Sequence, residues 1–245
     1  MNGALSGKTV LLTGAAGGQG RIAARLIVEA GGKVLMTDRD PAGSDFAGAI
    51  GPAACFVRHD VTDPAAWAAA VTVAVDRFGG LDVLMNNAAI AGRDHVETLS
   101  AERMRGYFDV NVVGALNGIQ AVLPVFRSRG GGSIVNIASI SALRATPGLV
   151  GYGISKWALR GLSRNAAAEL AVDGIRVNLV LPGAVAVSMI RDAGGSRDKQ
   201  AVAAQVPIGR VAMPEEIARA AIYLASDAAS YVTGAELAVD GGWCA

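Results

Sequence analysis

Tyr152-Gly-Ile-Ser-Lys156 sets a phenol and an ammonium four residues apart, on one face of a single helix. A free phenol has a pKa of about 10, so proton exchange near pH 7–8 needs roughly 3–4 kcal/mol of preferential stabilisation of its anion. A lysine charge about 4–5 Å away in a partly desolvated cleft has the right sign and size to contribute. Ser139 closes a predicted strand thirteen residues before the tyrosine. Strand carboxyl ends in parallel sheets face the ligand crevice, so its hydroxyl is expected to meet the phenol there. The three groups suit acid–base work on an oxygen atom.

A second constellation lies near the amino end. Thr13-Gly14-Ala15-Ala16-Gly17-Gly18-Gln19-Gly20 joins a predicted strand to a predicted helix, and read from Gly18 it also fits G-x-G-x-x-A, ending at Ala23. Glycines there let the backbone approach a pyrophosphate while helix N–H groups point at the anion. In a chain with 32 glycines such a match arises easily by chance. Its context gives it weight: strand, turn, helix, then an acid, Asp38, ending the next strand where a ribose-binding carboxylate belongs. The alternative for Asp38 is a solvated strand end.

The elements that must position these groups alternate. Short, mostly apolar runs at Lys8–Thr13, Lys33–Asp38, Ala53–Asp60, Leu81–Asn86, Ser133–Ala138, Arg176–Leu181 and Glu236–Val239 read as strands buried on both faces. Helices are expected over Gln19–Ala30, Pro64–Phe78, Ala101–Ser128, Gly153–Val172 and Pro214–Ser226, with a short, weak one after Pro41. Asp63-Pro64 and Pro214-Glu215-Glu216 mark starts, and Gly79 and Gly174 mark ends. Seven strands alternating with helices predict one α/β domain over residues 1–245, a doubly wound parallel sheet of the Rossmann type with helices on both faces. The irregular stretch 184–210 is expected to act as a substrate lid.

The 245 residues are 52% hydrophobic and carry a net charge of +1, which excludes a disordered chain and offers no global field for nucleic acid. The expected partner is a small molecule or the protein itself. Cys55 and Cys244 read as reduced thiols of a cytoplasmic protein, and the amino end lacks an apolar stretch of signal-peptide length. No apolar run is expected to reach the roughly 20 residues of a membrane helix. His59 and His95 read as solvated rather than as metal ligands, Trp157 as packed, and Arg103, Arg105, Arg127 and Arg129 as solvated faces. No metal is expected.

The glycine turn, Asn86-Asn87-Ala88-Ala89, Asn111, Ser139, Tyr152/Lys156, Pro182-Gly183 and the ending Thr233 to Gly242 together resemble the short-chain dehydrogenase/reductase family over essentially the whole chain. The resemblance implies hydride transfer between a nicotinamide cofactor and a secondary alcohol or its ketone. By the same resemblance Ser139 holds the substrate oxygen, Tyr152 exchanges its proton, Lys156 binds the nicotinamide ribose and lowers the phenol pKa, and Asn111 holds a proton-relaying water. The implied cofactor contacts are Gly14, Gly17, Gln19, Gly20, Asp38, Arg39, Asp60, Val61, Asn87, Ala88, Ala89, Tyr152, Lys156, Pro182, Gly183, Val185 and Val187. Substrate contacts fall to Ser139, Ile140, Leu149, Tyr152 and Met189.

Three positions depart from the family pattern. Ala89 stands where glycine is usual, Leu181 where a polar residue is usual, and Val187 where a threonine often helps bind the carboxamide, with Ser188 next to it as a substitute. Asp38 favours NAD over NADP, because a 2′-phosphate would sit against a carboxylate, and Gly17 offers no countercharge. Arg39 is expected along the adenine, with Asp60-Val61 on the ring's other side. The segments expected around the substrate are largely apolar; Arg93, Asp94, Arg144 and Arg191 form no obvious convergent cluster, so an apolar cyclic or aryl alcohol is expected. The alternatives are a 3-oxoacyl-thioester reductase and a non-catalytic dinucleotide sensor. A homotetramer is implied, with the two long helices packing on their symmetry mates.

Overall fold

The structure, a computed structural model, describes residues 3–186 and 199–245. Seven strands form one parallel sheet: β1 (Thr9–Thr13), β2 (Lys33–Asp38), β3 (Ala54–Arg58), β4 (Val83–Asn86), β5 (Gly132–Ile137), β6 (Ile175–Pro182) and β7 (Glu236–Val239). Their order is β3-β2-β1-β4-β5-β6-β7, so the winding reverses between β1 and β4. That reversal opens a crevice at the strand carboxyl ends.

Each central strand buries both faces, which is why it reads as an unbroken apolar run. Val10 and Leu12 of β1 point to one side, onto α1 (Gly18–Glu29) and the helix Pro214–Ala225; Leu11 points to the other, onto α3 (Pro64–Phe78). Trp67 and Phe126 anchor that second layer and are fully buried. A large apolar side chain so placed contributes about 1.5–3 kcal/mol.

The remaining helices, in chain order, are α2 (Gly43–Ile50), α4 (Ala101–Phe108), α5 (Gly114–Ser128), α6 (Val150–Leu170) and α7 (Lys199–Ala203), which makes Pro214–Ala225 α8. The expected start signals operate: Asp63 Oδ1 accepts from Ala65 N at 2.8 Å, and Glu216 caps the Met213 amide at 2.8 Å. Gly79 and Gly174 take left-handed φ of 86° and 71° at helix ends.

Several expectations need correction. The single helix expected over Ala101–Ser128 is interrupted by a π-turn at Asp109–Val113. Counted as one 28-residue element, with a mean hydropathy of 1.3 over its most apolar window, it is long and apolar enough by composition to cross a membrane, contrary to the expectation. Here it is a layer of the fold, with Ile119, Val122 and Phe126 buried in the core. His59 is not solvated: it is 2% exposed, bonded to Thr37 through Nδ1 at 3.0 Å and edge-on to Trp67. Trp157 is 47% exposed and stacks with Arg160. Arg103, Arg127 and Arg129 are exposed, as expected, and in addition pair with Asp94, Asp173 and Asp82. Within 184–210, Val185 bridges Ala212 and α7 forms a short helix.

Candidate active site

A cleft of about 900 Å³ runs across the winding reversal, from Asp38 and Asp60 at one end to Arg144 and Trp243 at the other. Gly14 shapes its floor. With φ +64° it makes a turn that L side chains rarely adopt, and a Cβ there would come within 2.7 Å of the Ala88 Cα. Asn87 Nδ2 ties the turn to the end of β4 by donating to the Thr13 and Gly14 carbonyls at 2.9 and 3.2 Å.

Helix α1 starts at this turn without a side-chain cap and without an acid in its first turn. Its amino-terminal N–H groups therefore face the cleft with nothing of the helix's own to satisfy them, a cradle suited to a pyrophosphate. At the next strand end, Asp38 is held rigid: Oδ2 accepts from Ala16 N at 2.9 Å and Oδ1 from Asp40 N at 3.0 Å. Arg39 lies 3.9 Å from Asp60, so it pairs with that carboxylate and leaves the charge of Asp38 standing. Thr62 bonds to Asp60 hold its pKa below the usual carboxylate value, with Arg39 assisting. These residues fit the adenosine and diphosphate of a dinucleotide.

Ser139, Tyr152 and Lys156 meet in the middle of the cleft. Ser139 follows β5 in extended conformation, Oγ accepting from Ser141 N at 3.1 Å and bonding to the Tyr152 hydroxyl. Lys156 is buried; Nζ donates to the Ile137 carbonyl at 2.9 Å and stands 5.6 Å from the tyrosine ring centre. Burial pushes the phenol up, opposed by the bond to Ser139, and pushes the ammonium down to about 7. In the protein alone, both groups are thus driven toward their neutral forms.

Asn111 does not line the cleft. It sits at the π-turn, 2% exposed, with Oδ1 accepting from Ile90 N at 2.8 Å and Nδ2 donating to Ile90 O and Ser155 Oγ at 3.0 and 2.9 Å. Ser155 in turn donates to the Tyr152 carbonyl at 2.7 Å. Both N–H groups of the amide are used, and the residue clamps the start of α6 to the loop after β4.

Of the other expected contacts, Gly14, Gly17, Gln19, Gly20, Asp38, Arg39, Asp60, Val61, Asn87, Ala88, Ala89, Pro182, Gly183, Val185, Ile140 and Leu149 all line the cleft. Val187 and Met189, with Ser188 beside them, lie outside the described residues. Sequence reasoning missed His59, Val110, Ile137, Trp243, and Ala201, Val202 and Gln205 on and after α7. None of these carries a motif; only the fold brings them there.

The family profile described as enoyl-(acyl carrier protein) reductase matches residues 14–244. A 3-alpha-(or 20-beta)-hydroxysteroid dehydrogenase of Mycobacterium tuberculosis is 42% identical over 99% of this chain and 91% of its own length. The chain belongs to the short-chain dehydrogenase/reductase family. Another member, a trans-4-hydroxycyclohexanecarboxylate dehydrogenase of Sinomonas cyclohexanicum, is 38% identical over 96% of this chain and 92% of its own. A crystal structure of 3-ketoacyl-(acyl-carrier-protein) reductase from Brucella melitensis complexed with NADH superposes with a TM-score of 0.93 at 34% identity, covering 98% of this chain and 99% of that one. The fold of this short-chain dehydrogenase/reductase, with its seven-stranded parallel sheet, matches that of the Brucella reductase.

Proposed function

We infer that the protein moves a hydride between NAD(H) and a secondary alcohol or its ketone, the alcohol being cyclic. It is an oxidoreductase of the short-chain dehydrogenase/reductase family and uses NAD(H). The observation that carries the reading is the placement of Ser139, Tyr152 and Lys156 in one cleft with the uncapped start of α1 and Asp38. When bound, the nicotinamide supplies the hydride acceptor or donor. Ser139 orients the substrate oxygen by hydrogen bond, and Tyr152 takes the alcohol proton through its hydroxyl, or returns it in the reverse direction. Lys156 is placed to bind ribose hydroxyls and, in its ammonium form, stabilises the phenolate. Asn111 is a positioning residue that acts on Tyr152 through Ser155.

We further propose that the nucleotide lies from Asp38, Arg39, Asp60 and Val61 to Pro182, Gly183 and Val185, with Val187 and Met189 completing the carboxamide and substrate contacts. The expected substrate lid, 184–210, lies largely outside the described residues; of its described part, Ala201, Val202 and Gln205 line the cleft. The whole chain is taken as one catalytic domain, soluble, cytoplasmic and homotetrameric, without nucleic-acid or membrane partners. Exposed Val113, Ile154 and Trp157 on the π-turn and α6 support the tetramer.

The alternative of a 3-oxoacyl-thioester reductase draws on the Brucella neighbour's name. The test is the ultraviolet signal of reduced nicotinamide on mixing the protein with NAD and a panel of cyclic secondary alcohols. Turnover supports the reading. Activity confined to acyl-carrier thioesters favours the alternative, and dinucleotide binding with no turnover of any substrate favours a sensor.

A further inference from the structure

We propose that the substrate end of the cleft is an anion site, in which Arg93 and Arg144 hold a carboxylate carried by the alcohol remote from its reacting hydroxyl. The inference rests on the secondary-alcohol reading of this cleft and narrows its substrate class.

The lining carboxylates are confined to one end of the cleft. Among the described residues the lining carboxylates are Asp38 and Asp60, both at the nucleotide end, whereas Arg93 and Arg144 line the other end. No carboxylate of the described residues forms an ion pair with either guanidinium. The acid adjoining Arg93 is turned away from the cleft. Asp94 is 6% exposed and bonded to Arg103 and to the Tyr107 hydroxyl. Its main chain bridges the other loop, Asp94 N donating to Gly148 O at 3.0 Å and Val150 N to Asp94 O at 3.3 Å. Successive side chains in such an extended bridge face opposite ways, so burying Asp94 aims Arg93 into the cleft. The same bridge sets the Arg93 loop beside the loop that carries Arg144.

Arg144 is held by Trp243. Its guanidinium lies 5.3 Å from the ring centre, and Nη1 is 3.5 Å from the Trp243 carbonyl. This cation–π contact restrains the guanidinium while its remaining N–H groups stay available for the paired oxygens of a carboxylate. Both arginines are exposed to solvent, and a wholly apolar ligand at this end would displace part of their water without offering a hydrogen bond in return. A carboxylate on the far side of a cyclic alcohol satisfies both and leaves Ile140 and Leu149 to pack on the ring.

The experiment compares kcat/KM, with NAD, for 4-hydroxycyclohexanecarboxylate and 4-methylcyclohexanol, on wild type, Arg93→Gln and Arg144→Gln. Calorimetry of the unreactive cyclohexanecarboxylate with the NAD-saturated protein reads the site without turnover. The expected result is at least a tenfold preference for the carboxylate, weakened by added salt, and about a tenfold loss of that preference in each variant. Cyclohexanecarboxylate should bind wild type about tenfold tighter than Arg144→Gln. Equal use of both alcohols, or variants that slow both alike, overturns the anion site and leaves the dehydrogenase reading intact. Binding of the carboxylate through the arginines without oxidation of any alcohol sustains the site and overturns that reading. Neither binding nor preference overturns the site whatever the reaction.

Discussion

At the residue scale, the proposed control of coenzyme choice by Asp38 rests on a carboxylate fixed by two main-chain amides and not paired with Arg39. A 2′-phosphate about 5 Å away would cost roughly 3 kcal/mol per charge pair at an effective dielectric near 20, before screening. Wild type is therefore expected to prefer NAD by about a hundredfold in kcat/KM, and Asp38→Ala to lose most of that preference. Steady-state kinetics with both coenzymes at equal substrate checks this. His59 belongs to the same scale. Burial lowers its pKa to about 4, against the opposing pull of Asp60 and Asp63. The unfolded chain, titrating near 6.5, takes up a proton more readily, so this contribution is intact above pH 6.5 and is lost as pH falls toward 4. At pH 5 the loss is about 2 kcal/mol. Melting temperatures at pH 7.5 and pH 5 should fall further in wild type than in His59→Gln.

At the scale of elements, the cluster Asp94, Arg103 and Tyr107 joins the loop after β4 to α4 and, through the Asp94 main chain, to the entrance of α6. Tyr107→Phe leaves one oxygen of a buried carboxylate without its partner and is expected to cost about 1–3 kcal/mol, read as a lower melting temperature and a reduced kcat. The strands were legible because burial on both faces forces continuous apolar runs, and α3 and α8 because Asp63-Pro64 and Pro214-Glu215-Glu216 announce their starts. The π-turn was not: one extra residue per turn at Asp109–Val113 leaves composition and periodicity nearly unchanged. The burial of His59 was equally hidden, since it depends on Thr37 of the neighbouring strand and Trp67 of α3. Motif residues such as Gly14, Asp38, Ser139 and Tyr152 could be placed in one cleft from the sequence. The direction of Arg93 could not, because it follows from a bridge between two loops.

For the whole molecule, the exposed apolar residues Val113, Ile154 and Trp157 favour association through the long helices. Light scattering is expected to give a mass four times the 24.8 kDa of one chain, and Trp157→Glu to shift it toward smaller species. A stable monomer of wild type at micromolar concentration would contradict the tetramer. Sheet reversal, uncapped helix and buried lysine together support the proposal that the Tyr152 hydroxyl moves the proton. The decisive measurement is the rate of reduced-nicotinamide formation from a cyclic secondary alcohol by Tyr152→Phe, with dinucleotide affinity measured on the same preparation. The account predicts unchanged coenzyme binding and turnover reduced by at least a thousandfold, on the order of a general acid–base group's contribution. Near-normal turnover in that variant would contradict it.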